Sequence, residues 1–182
     1  MARAAAPLAE STRETLTSLP FTKLEAAVRL RCRTKHRVFL DGGRFTGVAA
    51  RHLALRLMRL RDEVHMLPGH PVHPNALTRD LRRPDVLVLI DHRPYEERMA
   101  RIAQEAKTAG ARIVLFTGPW FSPVMAVADV VLAVAVRFPM PGTGLAPTSA
   151  LIKTLLVWQF WPIQARFEVS QGEQGALHQG PL

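Results

Sequence analysis

Cysteine is nearly missing from this sequence, whose 182 residues contain one, Cys32. A single thiol excludes an internal disulfide and fits a reducing compartment, with Cys32 as inert packing. Long apolar runs are missing too. The most apolar stretch, Val130 to Val136, is bounded by Asp129 and Arg137 and falls far short of the roughly 20 residues that cross a bilayer. Met1 to Glu10 has a short Ala run before Pro7 and lacks the apolar core of a signal peptide. No membrane contact is expected, and the cytoplasm is the expected location.

Lysine is also scarce. Of 24 basic residues only Lys23, Lys35, Lys107 and Lys153 are lysines, and with 15 acidic residues the net charge is +9. Such an arginine excess raises the question of nucleic acid, because clustered Arg releases counterions from phosphate backbones. The distribution argues against it. Arg51, Arg56, Arg59 and Arg61 follow a helical pattern, Arg29, Arg31, Arg33 and Arg37 precede a strand, and Arg79, Arg82 and Arg83 sit in a polar connection. These read as solvated faces and subunit ion pairs. With 48% hydrophobic and 21% charged residues, the chain has the composition of one folded domain rather than a disordered segment.

What is present is an alternation. Residues 11 to 33 have a helical apolar face interrupted near Pro20. Arg37 to Leu40 is a short strand stopping at Asp41-Gly42-Gly43, and a helix is expected from about Phe45 to Arg61. Glu63 to Leu67 reads as a short strand, and Asp85 to Asp91 as one buried on both faces. A helix from Tyr95 to Ala109 stops at Gly110, a C-cap residue. Arg112 to Thr117 is a fourth strand, a short helix follows around Ser122 to Ala128, and Asp129 to Val136 is a fifth strand. A Pro- and Gly-rich stretch leads to a strongly apolar helix, Thr148 to Trp161. Strands alternating with helices predict an α/β domain, a three-layer doubly wound five-stranded parallel sheet. The expected division is a helical arm over 1–33, the domain over 34–161 and a mobile tail over 162–182.

Ligands of such sheets settle at the carboxyl ends of the strands. Two loops there carry polar chemistry. In the first, Gly42 and Gly43 allow close backbone approach, Arg44 offers a forked cationic contact, and Thr46 adds a hydroxyl or, read structurally, an N-cap. In the second, Pro94 suits the first turn of a helix, which puts His92 and Arg93 at its mouth facing the first loop. Arg93 can bind an anion, Tyr95 can donate a hydrogen bond, and His92 can sense protons. The alternative for this loop is a solvated surface turn. His65, His70 and His73 invite a metal reading, but three prolines between 68 and 74 prevent a helix that would bring His70 and His73 together, so no metal is expected.

Three stretches together carry a resemblance. Val38 to Thr46 looks like a strand followed by Gly-X-Gly-X-Ser, Asp85 to Tyr95 stands in place of a strand and serine-rich loop, and Ala109 to Pro123 looks like Gly-Ala-X-Val-Ile-X-Ile-Thr with a later Ser-Pro. In these the sequence resembles the sugar isomerase (SIS) domain of RpiR-type bacterial transcriptional regulators, from about Leu16 to Leu156. The resemblance implies a flavodoxin-like SIS fold that binds a phosphosugar or related metabolite without a cofactor, forms homodimers or larger assemblies, and signals to an N-terminal helix-turn-helix module. It departs from that pattern in two places. Asp91-His92-Arg93-Pro94-Tyr95 replaces a hydroxyl cradle, and residues 11 to 33 look like the segment that follows the helix-turn-helix, so DNA contact is expected only through a module absent from this chain.

The expected function is therefore a ligand-sensing, non-enzymatic SIS domain. It binds a small anionic metabolite through Gly42, Gly43, Arg44, Thr46, His92, Arg93 and Tyr95. A phosphosugar isomerase is the alternative, lacking an evident base because Glu96 and Glu97 read as solvent-exposed. An oligomerisation module with a decayed pocket is another. Trp158, Phe160 and Trp161 suggest subunit contact under all three.

Overall fold

The computed structural model describes residues 2–32, 36–68, 80–136 and 145–158. Two helices lead, α1 (Ala2–Ser18) and α2 (Phe21–Cys32). Pro20 separates them, and its carbonyl accepts the N–H groups of Lys23 and Leu24 in the first turn of α2. Helix α1 reaches back beyond the expected start at residue 11. Its alanines are the best helix formers, and it carries through Pro7.

Five strands follow: β1 (Val38–Gly42), β2 (Val64–Met66), β3 (Val86–Asp91), β4 (Arg112–Thr117) and β5 (Val130–Ala133). They form one sheet in the order β2-β1-β3-β4-β5, parallel throughout. Helix α3 (Gly47–Met58) joins β1 to β2, α4 (Glu97–Thr108) joins β3 to β4, and a 3-10 turn at Pro123–Ala126 joins β4 to β5. Helix α5 (Leu145–Trp158) packs against α1, α2 and α3.

The apolar run of β3 is buried along its whole length. Val86, Val88 and Ile90 point into the core shared with α2, α3 and α5, whereas Leu87 and Leu89 point into the core shared with α4. Val114 and Phe116 against Ile113 and Leu115 repeat this division on β4. That period of two makes the sheet the middle of three layers. Each fully buried side chain contributes roughly 1.5–3 kcal/mol, so these central strands carry the fold.

The arm is docked onto the domain. The buried Thr15 hydroxyl donates to the Ser11 carbonyl and accepts the Ala135 N–H at 2.9 Å, and Phe21 meets Trp158 edge to face at 5.2 Å. Leu155 is buried. Part of the aromatic C-terminal surface expected to face another subunit is therefore covered by the chain's own arm. Arg37 is not a solvated charge either: it grips the buried Asp85 carboxylate through two bonds of 3.1 and 2.6 Å, joining the starts of β1 and β3. Among the described residues no helix is long and apolar enough to cross a membrane. Phe160, Trp161 and the expected mobile tail lie outside the described residues.

Candidate functional site

Strands β1 and β3 are neighbours whose connections leave toward opposite edges of the sheet, β1 to β2 and β3 to β4. The crevice beyond their carboxyl ends is where a sheet of this order takes its ligand. Both predicted loops lie there, joined through Ile90 and Glu96.

The first loop is a tight turn. A Cβ on Gly42 would lie 2.9 Å from Gly47 N and from the Thr46 carbonyl carbon and oxygen, so the turn closes on glycine alone. The N–H groups of its first three residues are already engaged. Gly42 donates to the Asp41 carboxylate at 2.8 Å, Gly43 to the Ile90 carbonyl at 3.3 Å, and Arg44 to Glu96 Oε1 at 2.5 Å. Thr46 corrects the expected side-chain cap. Its buried hydroxyl donates to the Ile90 carbonyl and makes no side-chain cap of α3. Phe45 and Thr46 belong to this turn, which delays α3 to Gly47.

The second loop differs in its helix start. Helix α4 begins at Glu97 with Glu96 in extended conformation at the N-cap, so Pro94 lies before the helix rather than in its first turn. This places the Glu96 carboxylate against the first loop instead of in solvent. His92 Nε2 meets Thr148 Oγ1 at 2.8 Å, and burial lowers its pKa to about 4, so the imidazole is neutral near pH 7. The Tyr95 hydroxyl donates to the Trp120 carbonyl at 2.8 Å, and burial pushes the phenol pKa up. Arg93 is exposed, with its guanidinium 5.3 Å from the Trp120 ring centroid. Arg44 is exposed as well. Neither guanidinium has an ion pair among the described residues.

Carboxylates converge behind these cations. Asp41 pairs with Arg98 at 2.8 Å, yet burial raises its pKa. Asp91 accepts the Ser122 hydroxyl at 2.8 Å, and desolvation, opposed by that bond and helped by Glu96, raises its pKa to about 6. Ser122 also caps the 3-10 turn by accepting the Val124 N–H. The structure thus adds Asp41, Asp91, Glu96, Arg98, Trp120, Ser122 and Thr148 to the predicted set. Two had a local signal: Asp41 and Asp91 each close the apolar run of a strand, where a buried carboxylate is unusual.

As for metal, His65 stacks on Phe39 and meets Glu63 at 3.2 Å, while His70 and His73 lie outside the described residues. Among the described residues no three His, Cys, Asp or Glu side chains gather as a metal site.

A parallel flavodoxin-like sheet with its polar loops at the β1/β3 crevice defines an α/β domain of the doubly wound class. The SIS domain family model matches residues 32–161, and the chain belongs to that family. In structure it is similar to the sugar isomerase domain of an RpiR transcription factor from Sphaerobacter thermophilus, at 21% identity, covering 96% of this chain and 97% of that one, with a TM-score of 0.79. It is also similar to the Vibrio vulnificus NanR protein, solved in complex with ManNAc-6P, at 15% identity over 96% of this chain and 67% of that one, with a TM-score of 0.75. A phosphoheptose isomerase from Francisella tularensis matches at 15% identity over 86% of this chain and 93% of that one, with a TM-score of 0.70. At these identities the likeness is one of fold. No curated protein matches the sequence.

Proposed function

We propose that this chain is a ligand-sensing SIS domain of the RpiR regulator type, which binds a small anionic sugar derivative between the 42–46 and 91–95 loops. Occupancy passes to a helix-turn-helix module that makes the DNA contact. One observation carries the reading: Arg93 is an exposed guanidinium without an ion pair among the described residues, held over Trp120 at the strand ends. A cation so placed is preorganised for a carboxylate or phosphate. The similar NanR protein, complexed with a phosphorylated sugar, supports this ligand class. Sensing is favoured over isomerisation because the groups that would move a proton are engaged, Glu96 on the Arg44 N–H and His92, neutral, on Thr148. The domain acts in the cytoplasm as a homodimer or larger assembly, using Leu8 and Leu16 of the arm and Val157 of α5, all exposed.

Calorimetry against a panel of sugar phosphates and sugar acids tests the reading. A charge-assisted hydrogen bond contributes about 1.5–3 kcal/mol, so Arg93→Ala should weaken binding about tenfold or more without changing the melting temperature. Failure of every anion to bind, or an Arg93→Ala affinity equal to wild type, would leave the oligomerisation-module reading in its place.

A further inference from the structure

At the other end of the sheet, the starts of β4 and β5 face the ends of α2 and α4 across a cleft of about 770 Å³. Leu30, Pro84, Ala111 and Val130 give it an apolar floor, and Arg29, Arg83, Lys107 and Arg112 ring it with positive charge. Two carboxylates answer four cations. Asp129 is shared between Lys107 at 3.0 Å and Arg112 at 2.8 Å, and Arg29 pairs with Glu25 at 2.7 Å. Arg83 has no ion pair among the described residues.

Cations beside a helix end commonly satisfy its last carbonyls, but α4 does not need them. Ala109 donates to the Glu105 carbonyl, Gly110 to that of Lys107 and Ala111 to that of Ala106, a closure that Gly110 permits with φ of +85°. Arg83 lies across this turn instead. A Cβ on Gly110 would stand 3.6 Å from both Cβ and Nε of Arg83. The Arg83 side chain thus lies in contact range of the Gly110 turn, beside the cleft.

We propose that this cleft is a second binding site, independent of the strand-end crevice, for a phosphorylated small molecule with an apolar or aromatic body. Arg83 and Arg112 take the phosphate as planar forks, and the body lies against Leu30, Pro84 and Val130. The volume is that of a small-molecule site, and the concave shape suits a mononucleotide-sized ligand better than a duplex backbone.

Calorimetry on the full chain with adenosine monophosphate, and with adenosine as the uncharged control, tests this. Adenosine monophosphate should bind at least tenfold tighter than adenosine. Arg83→Glu should weaken it at least tenfold with the melting temperature unchanged, since no ion pair among the described residues is lost. Arg93→Ala should leave it unaffected. Equal affinity for the two probes, an Arg83→Glu affinity equal to wild type, or loss of binding in Arg93→Ala would overturn the proposal. The last outcome would assign the phosphate to the strand-end crevice, which keeps this test separate from that of the sensing function.

Discussion

Glu96 and Arg44 are 52 residues apart in sequence, and the Glu96 carboxylate accepts the Arg44 backbone N–H at 2.5 Å. The same oxygen lies 3.0 Å from where a Cβ on Gly43 would stand. A carboxylate of the chain itself thus occupies the turn at which an anionic ligand was expected to rest. Glu96→Gln keeps an acceptor for Arg44 and removes the negative charge. Relief of a like charge at a partly exposed site amounts to about 1 kcal/mol, so anion affinity should rise about fivefold. The sugar-phosphate calorimetry checks this, and unchanged or weaker binding would place the ligand away from the turn.

Thr46 should behave as a structural residue. Its hydroxyl is buried on the Ile90 carbonyl, so Thr46→Ala should cost about 0.5–1.5 kcal/mol of stability while leaving anion affinity near that of wild type. Urea unfolding and calorimetry on the same variant separate the two effects. Lost affinity at full stability would return Thr46 to the ligand site.

Asp91 and His92 have opposite pH dependences. Burial raises Asp91 to about 6 from 3.8, so its stabilising effect is complete below about 3.8 and is lost as pH rises through 6. Burial lowers His92 to about 4 from 6.5, so its effect is complete above 6.5 and is lost as pH falls through 4. Each spans about 3 kcal/mol, and between pH 4 and 6 they largely cancel. Asp91→Asn removes one of them. Its stability should climb by about 3 kcal/mol from pH 4 to 6.5 and exceed wild type at pH 7.5. Urea unfolding at several pH values reads this, and a profile parallel to wild type would show that Asp91 does not titrate in that range.

The two glycines that flank the β1–α3 turn should respond oppositely to alanine. At Gly42 the added carbon meets backbone at 2.9 Å, which cannot move aside without reopening the turn, so Gly42→Ala should cost about 1–3 kcal/mol. At Gly47 the nearest atom is the Gly42 carbonyl oxygen at 3.7 Å, an ordinary contact. Gly47→Ala at the start of α3 should stabilise by up to about 1 kcal/mol. Thermal melts of the pair decide, and equal losses would contradict the geometry.

The order of strands and helices, the parallel sheet and the glycine turn at its carboxyl edge were legible in the sequence by itself. All three follow from local periodicity and backbone sterics: β3 and β4 are unbroken apolar runs, and Gly110 ends α4 in the left-handed conformation that few other residues adopt. Only the tertiary structure decided which polar groups of the crevice are free. Thr46 and Gly43 both turn toward the Ile90 carbonyl, Glu96 toward the Arg44 N–H, and His92 toward Thr148, while Arg44 and Arg93 stay exposed without ion pairs among the described residues. The physical reason is that a buried hydrogen-bonding group must find a partner, and here the partners are brought near only when β1, β3 and α5 pack together. Spacing along the chain carries the period of each element but not the distance between residues 46 and 90, or 92 and 148.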